Sequence, residues 1–242
     1  MKRLTLTSLL TLTILMGCSS SEQAVPDVLP SVLYQEATEA LEDARWLTAI
    51  EKLEALDSRY PFGPYSEQVQ FDLIYAYYKN ADYALTSATI DRFLRMYPGN
   101  KRTDWVIYMR GLTNMAQDKS IVHDLLHLER SDRDPEPAKR AFADFRLLLE
   151  NYPYSQYAND AQHRMVALKN RLADYELATA DFYVRREAWV AVINRGKELL
   201  QDFSDTQAAK EVLPMMKLSY EQLHLPELAA NMQRLIDANS YN

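Results

Sequence analysis

The sequence predicts an all-α protein made of repeated antiparallel helix pairs. Glycine is scarce, five residues in 242, and good helix formers are abundant. Apolar residues recur at helical rather than alternating spacing. A 12-residue interval also recurs from Ala49 to Pro61, Thr86 to Pro98 and Ala141 to Pro153. Each interval carries an apolar residue at +4 (Leu53, Ile90, Phe145), another at +7 (Leu56, Phe93, Leu148), and Tyr before the Pro. A small first residue lets paired helices approach, and +4 and +7 share its face. Proline then ends the helix and is expected to push the preceding Tyr into an extended conformation.

The chain opens with Lys2 and Arg3, then an apolar stretch from Leu4 to Met16, then Gly17 and Cys18. A basic start, a short apolar run and a small residue before the cut mark residues 1–17 as a secretory signal. The run is shorter than the roughly 20 apolar residues that a permanent span needs. Leu15-Met16-Gly17-Cys18 resembles the lipobox of bacterial lipoproteins, which implies Cys18 as the lipidated first residue of the mature chain. Ser19 rather than Asp follows, which implies sorting to the outer membrane. The alternative is an ordinary signal sequence with an incidental cysteine. Residues 18–30 are polar, Pro-marked and aperiodic, so they are expected to form a tether.

From Ser31 the helix pairs begin. Val32, Leu33, Ala37, Ala40 and Leu41 line a first face, and Ala49, Leu53 and Leu56 a second, ending at Tyr60-Pro61. Ser66 is expected to cap a third helix carrying Val69, Leu73, Ala76 and Tyr77. Thr86, Ile90 and Phe93 line a fourth. A fifth starts near Thr103-Asp104 with Ile107, Gly111 and Leu112. After an irregular stretch, Asp134-Pro135 reads as a cap with Pro at the first helical position. Ser155 is expected to cap a long helix through Tyr183, paired with Glu187 to Phe203, where Gly196 replaces a large apolar residue. Thr206–Leu223 and Pro226–Ala238 complete the set. Pro214 predicts a kink or a displaced start. The pattern resembles the tetratricopeptide repeat, a helix-turn-helix unit of about 34 residues, which implies a solenoid of about five units with a concave face.

Composition narrows the function. Without residues 1–17 the chain holds 25 basic and 34 acidic residues, a net charge of −9. No Lys/Arg block is present, which argues against nucleic acid and a polybasic membrane patch. With Cys18 acylated no thiol remains for a disulfide or a nucleophile. Phosphate loops and nucleophile elbows are absent, so neither enzymatic activity nor a cofactor is expected. His123 and His127 stand at zinc-ligand spacing, but Asp124 stands where the protease motif needs Glu. A helical patch with two unliganded histidines is the preferred reading. The run Glu129 to Asp134 carries five charges, two of them arginines, and reads as a solvated turn rather than a calcium site.

Arg59-Tyr60-Pro61-Phe62-Gly63-Pro64-Tyr65 is a stiff, ring-bearing connection. Its rings, with Tyr75, Tyr77 and Tyr78 beyond, either pack between helices or, beside Arg59 and Lys79, form a peptide-binding surface. Here a resemblance becomes specific. RYPFGPYSEQVQFDLIYAYYKNAD (59–82), YMRGLTNMA (108–116), RSDRDP (130–135) and REAWVAVINR (186–195) resemble the repeat-lipoprotein family of the outer-membrane β-barrel assembly complex. The resemblance runs from the lipobox to Asn242 and departs from the family in the insertion at 118–128. It implies a non-enzymatic scaffold, anchored by its lipid on the periplasmic face of the outer membrane. Residues 31–157 would receive unfolded outer-membrane proteins, with Tyr60, Phe62 and Tyr65 in the receiving half. Residues 158–242 would bind the periplasmic domains of the central barrel subunit, with Arg195 on that side, and companion lipoproteins would dock as well. The alternative is a periplasmic repeat lipoprotein that organises peptidoglycan enzymes.

Overall fold

The computed structural model describes residues 28–118 and 134–240. The signal, Cys18, the tether up to Asp27, the histidine pair and the charged run up to Arg133 lie outside the described residues. Ten helices form five successive pairs among the described residues: α1 (Pro30–Glu42) with α2 (Trp46–Arg59), α3 (Ser66–Lys79) with α4 (Tyr83–Met96), α5 (Thr103–Gln117) with α6 (Glu136–Asn151), α7 (Ala158–Val184) with α8 (Trp189–Asp202), and α9 (Gln207–Gln222) with α10 (Pro226–Ser240). Each helix packs on the next, and α7 also packs on α9. The fold is the all-α repeat array that the pattern predicts.

The 12-residue pattern is the core. Ala49, Thr86 and Ala141, their +4 partners Leu53, Ile90 and Phe145, and Phe93 and Leu148 at +7 are fully buried, and Leu56 is 2% exposed. The three tyrosines before proline adopt one conformation: φ −130°, −125° and −133° with ψ 54°, 59° and 55° at Tyr60, Tyr97 and Tyr152. This is not the extended state expected. Each Tyr N–H closes the last helical turn on Leu56, Phe93 or Leu148, and each Tyr carbonyl accepts from the N–H three residues on. Proline removes the helical option, and these two bonds choose the intermediate ψ. Phe203 repeats the cap without a proline (φ −134°, ψ 33°).

The same tight turns displace two expected caps. Ser66 N–H donates to the Gly63 carbonyl and Ala158 N–H to the Ser155 carbonyl, so backbone groups already serve these helix starts. Ser66 is therefore inside α3, without a side-chain cap. Ser155 Oγ instead accepts from Tyr157 N–H at 3.2 Å and donates to Asp104 Oδ2 at 2.6 Å. Asp134 does accept from Glu136 N–H at 3.0 Å, but Pro135 lies outside the helix and Pro137 is within its first turn. Thr206 caps α9 through Ala209 N–H, and α9 runs through Pro214. Pro214 and Lys210 lie on the exposed side, where solvent can serve the freed Lys210 carbonyl.

Turns within pairs follow a second rule. Arg45, Asp82, Ala188 and Leu225 each donate five residues back, to Ala40, Tyr77, Tyr183 and Tyr220, at 2.8–3.0 Å. The residue before each donor is left-handed: Ala44 (φ 56°), Ala81 (60°), Glu187 (55°) and His224 (56°). These are Schellman terminations with a non-glycine residue where glycine is usual.

Glycine serves elsewhere, as a hole. A Cβ on Gly111 would lie 2.5–2.9 Å from three ring atoms of Phe145, and one on Gly196 would strike Met216. The large residue missing at Gly196 is thus supplied by Met216 of the next pair, itself 1% exposed.

The up-and-down order gives the array two edges. Turns between pairs (60–65, 97–102, 152–157) lie on one edge together with the start of α1. Turns within pairs lie on the other. The fourth pair is offset. α7 has 27 residues and α8 has 14, about 40 Å against 21 Å. Lys169 Nζ meets Asp205 Oδ1 at 2.5 Å, so α8 lies along the second half of α7. The first half of α7 packs on α6, with Ala161 and Leu168 in the core of the third pair.

Candidate functional site

The first helices of the first three pairs carry planar residues at one repeated position. Thirty-seven residues separate Tyr34 from Phe71, and Phe71 from Tyr108. Each is covered by the residue five after the Tyr that ends the neighbouring helix. Tyr65 stacks on Tyr34 at 4.5 Å and 17°. The Arg102 guanidinium lies 3.5 Å over Phe71. Tyr157 stacks on Tyr108 at 4.8 Å and 17°. The turn that ends one pair therefore lays a flat group on the first helix of that pair, three times over.

Polar atoms at the rims of these platforms link adjacent pairs. Tyr34 OH donates to Asp72 Oδ2 at 3.2 Å, and Gln68 Nε2 donates to Asp72 Oδ1 at 2.8 Å. Arg102 Nη2 donates to Gln68 Oε1 at 2.7 Å. Tyr108 OH donates to Asp160 Oδ2 at 2.6 Å, which also accepts from Arg164 Nε at 2.5 Å. Burial, then the Asp72 charge, push the Tyr34 hydroxyl up to about 12. Burial raises the Asp72 carboxyl too, against the pull of Gln68, Tyr34 and Arg102.

Between the second platform and the third lies a cleft of about 260 Å³, lined by Gln68, Phe71, Asp72 and Tyr75 of α3, by Arg102, Asp104 and Trp105, and by Gln156 and Tyr157. Trp105 meets Phe71 at 5.5 Å. Asp72 and Asp104 in its wall already accept from Tyr34, Gln68, Ser155 and the Trp105 N–H. Beside them the cleft offers the rings of Tyr75, Trp105 and Tyr157 to an apolar side chain and a guanidinium whose hydrogen-bond partner is a neutral amide. That is the chemistry of holding an aromatic residue next to a carboxylate.

A larger hollow of about 510 Å³ lies between α4, α5 and α6. Three of its polar residues, Arg110, Asn114 and Asp144, are linked by hydrogen bonds. Asp144 accepts from Arg110 Nε and Asn114 Nδ2, both at 2.7 Å.

The residues singled out in the sequence take separate positions. Tyr60 is half-buried in the first core, and its hydroxyl donates to the Val28 carbonyl at 3.1 Å. Tyr65 forms the first platform. Phe62 is 93% exposed at the tip of its turn. Lys79 does not join this group. It ends α3, about 20 Å from Ser66, and sits 5.4 Å over Trp46. Tyr77 is also spent in packing, buried with its hydroxyl on Glu54 Oε1 at 2.6 Å. Arg195 is 38% exposed and its Nη1 meets Glu176 at 3.3 Å and Glu198 at 2.9 Å. Arg102, Phe71 and Trp105 were not singled out in the sequence. The 37-residue interval that joins Tyr34, Phe71 and Tyr108 was the signal available for them.

No helix among the described residues is long and apolar enough to cross a membrane. Comparison with known proteins gives one consistent result. Residues 26–235 match the family described as outer membrane lipoprotein, YfiO. The chain is 61% identical over 239 residues to the outer membrane protein assembly factor BamD of Vibrio cholerae, covering 99% of each chain. It is 43% identical over 223 residues to the factor of the same name from Pasteurella multocida, covering 92% of this chain and 85% of that one. With the Haemophilus influenzae factor it shares 37% over 226 residues, 93% of this chain and 86% of the other.

Proposed function

The chain belongs to this family of outer membrane lipoproteins, and from that membership we propose that it is an outer membrane protein assembly factor. It acts as a scaffold, held through lipid on Cys18 at the periplasmic face. Its first three pairs receive unfolded outer-membrane proteins, and its last two bind the central barrel subunit, with companion lipoproteins docked alongside. The identity to a named assembly factor across almost the whole of both chains carries this reading. The cleft supports it, since an extended strand ending in an aromatic residue and a carboxylate matches its rings and its guanidinium. Phe71, Tyr75, Arg102 and Trp105 line the receiving cleft, and Tyr60 and Tyr65 belong to the neighbouring turn of the first pair. Phe62 stands outside that wall.

Capture of solubilised outer membrane on the acylated chain tests the scaffold role. Recovery of a large integral barrel protein supports it, whereas recovery of cell-wall synthases or amidases replaces it with the organiser of peptidoglycan enzymes. Peptide titration tests the cleft. Arg102→Gln should weaken a peptide with a free aromatic C-terminus by about tenfold or more, as expected for a charge-assisted bond, and leave the C-terminal amide of that peptide unaffected. Equal loss for both peptides refutes the carboxylate role.

A further inference from the structure

The edge that carries the turns between pairs holds two rings that do nothing for the fold. Phe62 is 93% exposed and Tyr154 is 99% exposed. Both occupy the second position after the Tyr that ends a pair. The turn between them has Gly99 at that position, in a left-handed conformation and with open space around it. Pro61, Pro64, Pro98 and Pro153 are exposed on the same edge and stiffen it, and Leu29 adds an apolar side chain. Arg95 and Lys101 are exposed there as well. Two acidic neighbours are occupied: Glu67 accepts from Asn100 at 2.9 Å, and Glu150 lies 3.8 Å from Arg146. The opposite edge is turned by Asp43-Ala44-Arg45, Asn80-Ala81-Asp82 and Arg185-Arg186-Glu187, and the exposed apolar side chains that follow these turns, Leu47, Leu85 and Val190, are aliphatic rather than aromatic.

The chain's path says what faces the ring-bearing edge. Tyr60 OH holds the Val28 carbonyl beside the first of these turns. Only ten residues then separate Val28 from Cys18, a reach of at most ~36 Å. With lipid on Cys18, the tether leaves the array at the edge with the rings, so this edge can meet the leaflet without the tether running along the array. We propose that this edge is apposed to the membrane, with Phe62 and Tyr154 seated among the headgroups of the leaflet that holds the acyl chains and with Arg95 and Lys101 toward its anionic lipids. Aromatic rings favour that interface over water. Two rings bind weakly on their own, but the anchor supplies a high local concentration of lipid, so a weak contact suffices to orient the array. The opposite edge then faces away from the bilayer, and the cleft wall stands roughly upright beneath it.

The inference rests on acylation of Cys18, and the test separates the two. Cys18 is the only cysteine in the chain, so Phe62→Cys, Tyr154→Cys and Val190→Cys can each be labelled with an environment-sensitive fluorophore in the acylated full chain. Val190, 60% exposed beside a turn of the opposite edge, is the reference. The protein is reconstituted in phosphatidylethanolamine and phosphatidylglycerol vesicles that carry a quencher on the acyl chains. Quenching at positions 62 and 154 should exceed that at 190 by at least twofold. A label at Ser58→Cys should lose at least half of its quenching when F62S and Y154S are combined. Anchored protein with equal quenching at all three sites overturns the orientation alone. An unmodified Cys18 in the mass of the N-terminal peptide overturns the anchor, and the proposal with it.

Discussion

Gly111→Ala and Gly196→Ala are one substitution with two expected outcomes. Each adds a methyl group in a helix interior, where Ala is favoured over Gly by about 1 kcal/mol. Each new Cβ lands on a buried neighbour. At Gly111 the obstacle is the Phe145 ring, met at 2.5, 2.7 and 2.9 Å, and Phe145 is fully buried. An aromatic ring cannot fold out of the way; it must move as a plate, against Ala138, Leu148 and Leu168 around it. Overpacking of that kind costs about 1–3 kcal/mol, and three contacts below van der Waals distance place it at the upper end. The net loss is about 1–2 kcal/mol, or roughly 2–8 °C in melting temperature for a chain of this size. At Gly196 the obstacle is Met216, whose three side-chain torsions let it yield. The two terms nearly cancel there, and the net change is within about 1 kcal/mol. Thermal and urea unfolding of the unacylated chain measures both. Adding Phe145→Leu to Gly111→Ala should recover at least ~1 kcal/mol relative to additivity. Equal losses at the two glycines, or no coupling with position 145, refute the argument.

Three further outcomes are expected. Glu187→Gly relieves a left-handed residue in an exposed turn and should stabilise the protein by about 0.5–1 kcal/mol, the gain being reduced by the greater freedom of Gly in the unfolded chain; a loss would show that the turn needs the Glu side chain. Asp160 is held below the usual carboxylate range: burial opposes its charge, but bonds from Arg164 and Tyr108 outweigh burial. Its contribution is therefore present above about pH 4 and lost as pH falls through the lowered value, so wild type and Asp160→Asn should differ at pH 7 and converge in acid. Arg195→Ala should weaken capture of the barrel subunit and cost about 1 kcal/mol or less of stability, because Glu176 loses a partner; Glu176→Gln should keep the capture, and if it fails equally, Arg195 acts only inside the protein.

Much of the fold was legible because the core is periodic. Ala49, Leu53 and Leu56, and their counterparts around Ile90 and Phe145, recur at one spacing, and burial follows that spacing. The turns within pairs were not legible. Ala44, Ala81, Glu187 and His224 occupy left-handed positions for which sequence reasoning looks for glycine or asparagine. Ser66 and Ser155 misled because a backbone turn had already supplied the bond that a capping side chain gives. Lys79 and Arg59 are near in sequence, yet the length of α3 separates them. The stacked pairs were hidden because each joins residues 31 or more apart. The real interval is 37 residues, not the 34 of a generic repeat, and it would have aligned Tyr34, Phe71 and Tyr108 directly.

The continuity of α7 bears on how the molecule can be taken apart. Neighbouring residues of this helix serve different cores: Leu168 and Leu172 belong to the third pair, while Ala173 and Ala180 belong to the last two. A cut between Ala158 and Val184 breaks the one helix that serves both cores, and Phe203 packs against both as well. A fragment ending near Tyr157 loses the far wall of its last core, and one starting near Leu172 strips Lys169 from Asp205. The helix works as a shared beam rather than a hinge. Fraying begun in the cleft-bearing pairs is passed on to the Arg195 surface by the loss of common wall. A protease should accordingly find no preferred nick in this stretch until the two cores open together.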